Sequence, residues 1–234
     1  MNAGDTGPRR RGQAQRIYED LHAAILSRRL RPAAPLSQET LGRIFHAGPS
    51  SVRRALQRLA REGAVELAPR RIASVARPDP QRLRQLLETR LLLESDMLRR
   101  LAGRLDGQNL AELREMLATQ RRCLAAGDAL GAQEWARNLH LRLAQLSANP
   151  LLPDLLGQLL ERLAVSIALG RGQAHTADSC RQQAEMLEAL AEGHAERACA
   201  CLESYLRGVG ERLRFAPPPT TDLRAAFAGK LAIP

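Results

Sequence analysis

GPSSVRRALQRLAREGAVELAPRRIASV, residues 48–75, decides how this chain is built. Val52, Leu56 and Leu59 recur at i, i+4 and i+7 and stack on one side of a helix, while Arg53, Arg54, Gln57, Arg58 and Arg61 cover the rest. The apolar stripe docks the helix and leaves the arginines for a negatively charged partner. A basic helix face alone is as often a solvated surface as a nucleic-acid contact, so the flanks decide. Leu36 to Phe45 predicts a short helix capped by Ser37, with Leu41, Ile44 and Phe45 facing inward, and His46-Ala47-Gly48-Pro49 predicts a turn. Helix, tight turn and basic helix make a helix-turn-helix. Beyond it, Ala64–Ala68 and Ile72–Ala76 can pair as strands around Pro69-Arg70-Arg71, a wing with two arginines at its tip.

Charge follows the same division. Residues 1–80 hold 15 arginines against 7 carboxylates, net +8, and residues 81–234 hold 20 basic against 18 acidic side chains, net +2. A basic module joined to a near-neutral one is the pattern of a nucleic-acid-binding domain with a second domain attached. Lys230 is the only lysine, so phosphate and base contacts fall to arginine, whose planar fork grips either with two hydrogen bonds. No run of about 18 apolar residues occurs, and MNAGDTGPRRRG lacks the apolar stretch of a signal peptide, so the expectation is a soluble, cytoplasmic protein without membrane contact. Cysteines 123, 180, 199 and 201 lack CxxC spacing and are expected to be reduced. No paired carboxylates, nucleophile with base, or phosphate loop argues for an enzyme.

The expected domains are a flexible basic arm at 1–13, a winged helix-turn-helix at 14–77, an all-helical domain at 78–214 and a tail at 215–234, whose Leu223, Phe227 and Leu231 could form one more short helix. Arg77-Pro78-Asp79-Pro80 is the linker, because each proline disfavours helix in the residue before it. Leucine-rich segments at about 81–104, 108–126, 128–147, 151–170, 177–192 and 195–214 are separated by Asp106-Gly107, Gly127-Asp128, Asn149-Pro150, Gly170 to His175 and Gly193-His194. Six such helices predict an antiparallel bundle, and the fold class is mainly α.

VRRALQRLAREGAV within residues 52–65 resembles the VSRTPVREALxxLxxEGLV pattern of the GntR-type bacterial transcription regulators. Arg90 to Glu94 (RLLLE), Leu139-His140 and Ser147 to Leu152 (SANPLL) resemble the RxxLE, FH and SGNPLL segments of the branch with an all-helical effector domain, called FCD or FadR-like. The resemblance spans roughly residues 14–214. It implies a repressor that binds its operator as a homodimer and is modulated by a small metabolite, such as an organic acid, held in the helical domain.

The chain departs from this pattern in both domains. Arginines that the family carries before the recognition helix and early in the preceding helix are Pro49 and Glu39 here, which moves base reading to Arg53 with Ser50, Ser51 and Arg54. Arg58 is expected at phosphate or against acidic neighbours, Arg70 and Arg71 at phosphate or the minor groove, and Ile72 replaces the wing's glycine. The resemblance also implies a divalent metal held by an aspartate and three histidines, but those positions are Ala136, His140, Gln183 and Tyr205. One imidazole, an amide and a phenol lack the donors that fix such an ion, so no metal and no cofactor are expected. The effector would meet Arg90, Arg137, His140, Arg162, Gln183 and Tyr205. The rival is an effector-independent or architectural DNA-binding regulator with a vestigial pocket.

Overall fold

The computed structural model describes residues 12–67 and 72–215 of the chain, which divides into two compact units between Arg77 and Pro78. The arginine-rich start, the wing tip with Arg70 and Arg71, and the tail with its expected last helix lie outside the described residues.

The first unit holds α1 (Gln13–Leu26), β1 (Pro35–Leu36), α2 (Gln38–Ile44), α3 (Pro49–Glu62), β2 (Val65–Glu66) and β3 (Ala73–Val75). Ile17, Leu21 and Ile25 of α1 close over Val52, Leu56 and Leu59 of α3, all at most 1 % exposed. Ser37 caps α2 by accepting from the Thr40 amide at 3.3 Å. Proline begins α3, where its missing N–H costs nothing. Gly63 ends α3 at φ 78°, a left-handed conformation that an L side chain resists, and the chain turns directly into β2. The strands form an antiparallel sheet in the order β1-β3-β2, with Leu36 opposite Ala73 and Val65 opposite Val75.

The second unit is the helical bundle: α4 (Pro80–Leu101), α5 (Gly107–Ala125), α6 (Ala129–Leu146), α7 (Leu152–Leu169), α8 (Ala177–Ala191) and α9 (Ala195–Arg212). Asp79, Asp106 and Asp128 cap α4, α5 and α6, and Thr176 with Ser179 forms a capping box on α8. Neighbouring helices run antiparallel. Arg99 meets Glu196 at 2.8 Å while Leu87 lies against Gly210, which fixes α4 against α9. Likewise Arg137 meets Glu161 at 2.6 Å while Leu141 lies against Gly157, fixing α6 against α7. Residues 163–169 of α7 are buried without a break, so this helix runs through the interior. The segment after it is stitched to the end of α9 by paired backbone bonds of 2.7 Å between Arg171 and Arg214.

Candidate functional site

In the first unit the candidate surface is the start of α3. Ser50, Arg53, Arg54, Gln57, Arg58 and Arg61 are exposed, whereas Ser51, expected at the DNA, is buried at 8 % exposure. The Arg53 and Arg54 guanidiniums make no ion pair or side-chain hydrogen bond among the described residues. Arg58 behaves differently. Its guanidinium lies 3.6 Å over the Tyr18 ring, donates to Gln15 Oε1 at 2.7 Å and reaches Glu62 at 3.4 Å. It ties α1 to α3. Glu39 pairs with Arg43 at 3.4 Å on the exposed side of α2.

In the second unit a polar cluster lies inside the bundle. Arg90 and Glu94, one turn apart on α4, are 2 % and 0 % exposed, and the guanidinium grips the carboxylate twice, at 2.5 and 3.2 Å. Burial alone would push the Glu94 carboxyl up, but the Arg90 guanidinium and the neighbouring imidazole hold it at about 2. His140 of α6 places Nδ1 2.6 Å from Glu94 Oε2, off its N–H direction, and Nε2 3.2 Å from the amide nitrogen of Gln183 on α8. An amide nitrogen only donates, so His140 Nε2 accepts and the neutral ring carries its proton on Nδ1, beside Glu94 but not aimed at its oxygen. Burial pushes the His140 imidazole below its ordinary value and the Tyr205 phenol above its own, so both stay neutral. Tyr205 of α9 stacks on His140 at 5.5 Å and faces Arg90 at 5.8 Å. His175, between α7 and α8, lies 6.4 Å from the same ring. Burial above all, with the Arg90 and Arg212 guanidiniums adding positive field, holds His175 at about 3.

Residues 85–208 match the model of the FCD domain, and residues 13–75 match that of the bacterial regulatory proteins of the gntR family. The chain belongs to the FCD branch of the GntR family. Members of this family are transcriptional regulators, not enzymes. The chain is 29 % identical over 207 residues to an uncharacterized HTH-type transcriptional regulator in an unstable DNA locus of Streptomyces ambofaciens, 86 % of each chain being covered. Its fold resembles a putative GntR transcriptional regulator from Rhodococcus sp. RHA1 (TM-score 0.70, 22 % identity, 85 % of this chain and 96 % of that one). It also resembles E. coli McbR/YncC (TM-score 0.67, 23 % identity, 85 % and 95 %).

Of the expected effector residues, the FCD domain brings Arg90, His140, Gln183 and Tyr205 together. Arg137 is half-buried and paired with Glu161, its Nε enclosed without a partner. Arg162 is exposed on α7 and stands apart from the cluster, because Leu159, Leu160 and Leu163 supply the buried face around it. The four positions implied for a metal converge only in part: Ala136 lies one turn before His140, and its methyl offers no donor. Glu94, the carboxylate beside His140, is closed by Arg90, and the Tyr205 phenol keeps its proton. This donor set does not fit a divalent cation.

Two members of the cluster, Glu94 and His175, and a further buried amide, Gln120 of α5, are residues the sequence did not point to. Glu94 stands four residues after Arg90, a spacing at which opposite charges meet on a helix. His175 lies in what reads only as a glycine-rich break. Gln120 continues the apolar stripe of Leu113 and Leu117 on α5, and a polar residue on such a stripe was its signal.

Proposed function

We propose that this FCD-branch GntR regulator is a cytoplasmic repressor that binds its operator as a homodimer and is modulated by a small metabolite in the helical domain. Two copies of α3 related by a twofold axis would read the halves of an inverted repeat in successive major grooves. The observation that carries this reading is the pair of guanidiniums on the first turns of α3, Arg53 and Arg54, which have no side-chain partner among the described residues and stand beside the exposed Ser50. That end of a recognition helix enters the groove, and a guanidinium so placed can fork onto a guanine edge or a phosphate. Arg70 and Arg71 extend the same positive surface in sequence and are assigned to the backbone or minor groove.

Selection from a random duplex library, followed by sedimentation of the complex, tests the DNA half. The expected result is an inverted repeat carrying two chains. A site without symmetry, or one chain per duplex, overturns it. Titrating that complex with a low-molecular-weight cell fraction tests the other half: operator affinity is expected to move, and an unmoved affinity makes the protein an effector-independent regulator.

A further inference from the structure

A folded core leaves few polar side-chain atoms without partners, because each gives up its hydrogen bonds to water. Gln120 of α5 is 0 % exposed, and neither its amide nitrogen nor its amide oxygen has a hydrogen-bond partner among the described residues. Gln183, also 0 % exposed, spends its nitrogen on His140 and leaves Oε1 unmatched. His175 Nδ1 is enclosed and unmatched as well.

The bundle's pairing puts these groups at one depth. Arg114 meets Glu188 at 2.6 Å while Arg121 lies close enough to Cys180 to act on its thiol, so α5 and α8 run antiparallel with Gln120 level with the turn that carries Gln183. Arg142 meets Glu112 at 2.8 Å while Cys123 lies against Gly131, so α6 brings Ala132 and Ala136 to the same depth. Those buried methyls cannot pair with an amide.

Most of the charge nearby is matched. Arg90 and Glu94 cancel one another, and His140, His175 and Tyr205 are neutral. Arg212, the next guanidinium, is half-exposed, donates to the Ala174 carbonyl at 2.9 Å and keeps its Nε enclosed without a partner among the described residues.

We propose that the bundle binds an uncharged small molecule presenting adjacent hydrogen-bond donor and acceptor atoms, as in a carboxamide, lactam or ureide, which pairs with the Gln120 amide and donates to Gln183 Oε1. This rests on the effector reading above and narrows its ligand class. A primary amide or lactam edge is self-complementary to a glutamine amide, donor to acceptor on both sides. A carboxylate has no proton to donate and would set its oxygens against the Gln183 carbonyl, acceptor facing acceptor.

Thermal melting of the full chain with matched probes tests the class: benzamide against benzoate, and butyramide against butyrate. The amides are expected to raise Tm saturably, and the acids to need at least about tenfold higher concentration for the same shift. Gln120→Leu, with Gln120→Met as a second variant, is expected to abolish the amide shift while melting no lower than the parent, since each removes two unpaired polar atoms. Acids acting as well as amides through Gln120 would overturn the class and leave the effector reading standing. An amide shift that survives both variants overturns the site, and so does silence from all four probes. Variants that melt well below the parent would mean the amide is already satisfied by enclosed water, which also overturns it. The effector reading fails separately, if the cell fraction leaves operator affinity unmoved.

Discussion

Glu94→Gln would leave the Arg90 guanidinium buried without its counter-charge, and losing one partner of such a pair costs about 3–5 kcal/mol. Denaturant unfolding of the variant should show that loss. Acid should have a related effect. The Glu94 carboxyl is held at about 2 against an ordinary 4.5, so its stabilisation is complete above pH 4.5 and is lost as pH falls towards 2. His175, held at about 3 against 6.5, adds a loss of the same sign: between those values the unfolded chain takes up a proton that the folded one refuses. Tm should therefore fall steadily from pH 7 to pH 4, and His175→Gln should flatten the upper part of that slope. On the other unit, Arg53→Ala should weaken specific operator binding by about 1–3 kcal/mol and shrink the ratio of specific to nonspecific affinity in anisotropy titrations. An unchanged ratio would remove Arg53 from base reading. At this scale the sequence was half legible. The four-residue spacing announced that Arg90 and Glu94 could pair, but burial decides whether an arginine is a ligand hand or a spent charge, and burial depends on what α6, α8 and α9 lay over it.

The elements were easier to foresee where punctuation was strong. Asp106, Asp128 and Thr176 fall at the caps because their oxygens accept from amides that the first helical turn leaves bare, and the breaks between bundle helices fall within a few residues of those expected. Ser37 does the same for α2, and Ser37→Ala should cost about 1 kcal/mol in denaturant unfolding. The strands came out shorter than the sequence suggested, Val65–Glu66 and Ala73–Val75, and a third, Pro35–Leu36, was not foreseen. A strand of two residues has no period to read; it exists because β3 offers it a ladder. Helix α1 went unremarked, although Ile17, Leu21 and Ile25 carry a helical period.

Across the whole chain, the contrast between a +8 amino-terminal third and a near-neutral remainder foreshadowed two units and the character of each. Operator affinity should fall linearly in log–log plots against salt, with a slope of about −0.9 per phosphate neutralised, and each lost phosphate contact should reduce the slope by about 1. What charge and period could not convey was the convergence of residues distant in sequence, such as Glu94, His140 and Gln183. Along α3, meanwhile, labour is divided. Arg58 is a strut, holding Tyr18, Gln15 and Glu62, while Arg53 and Arg54 bear no load in the domain. Substituting Arg53 and Arg54 together should therefore leave denaturant unfolding of the domain unchanged, whereas Arg58→Ala should lower its stability.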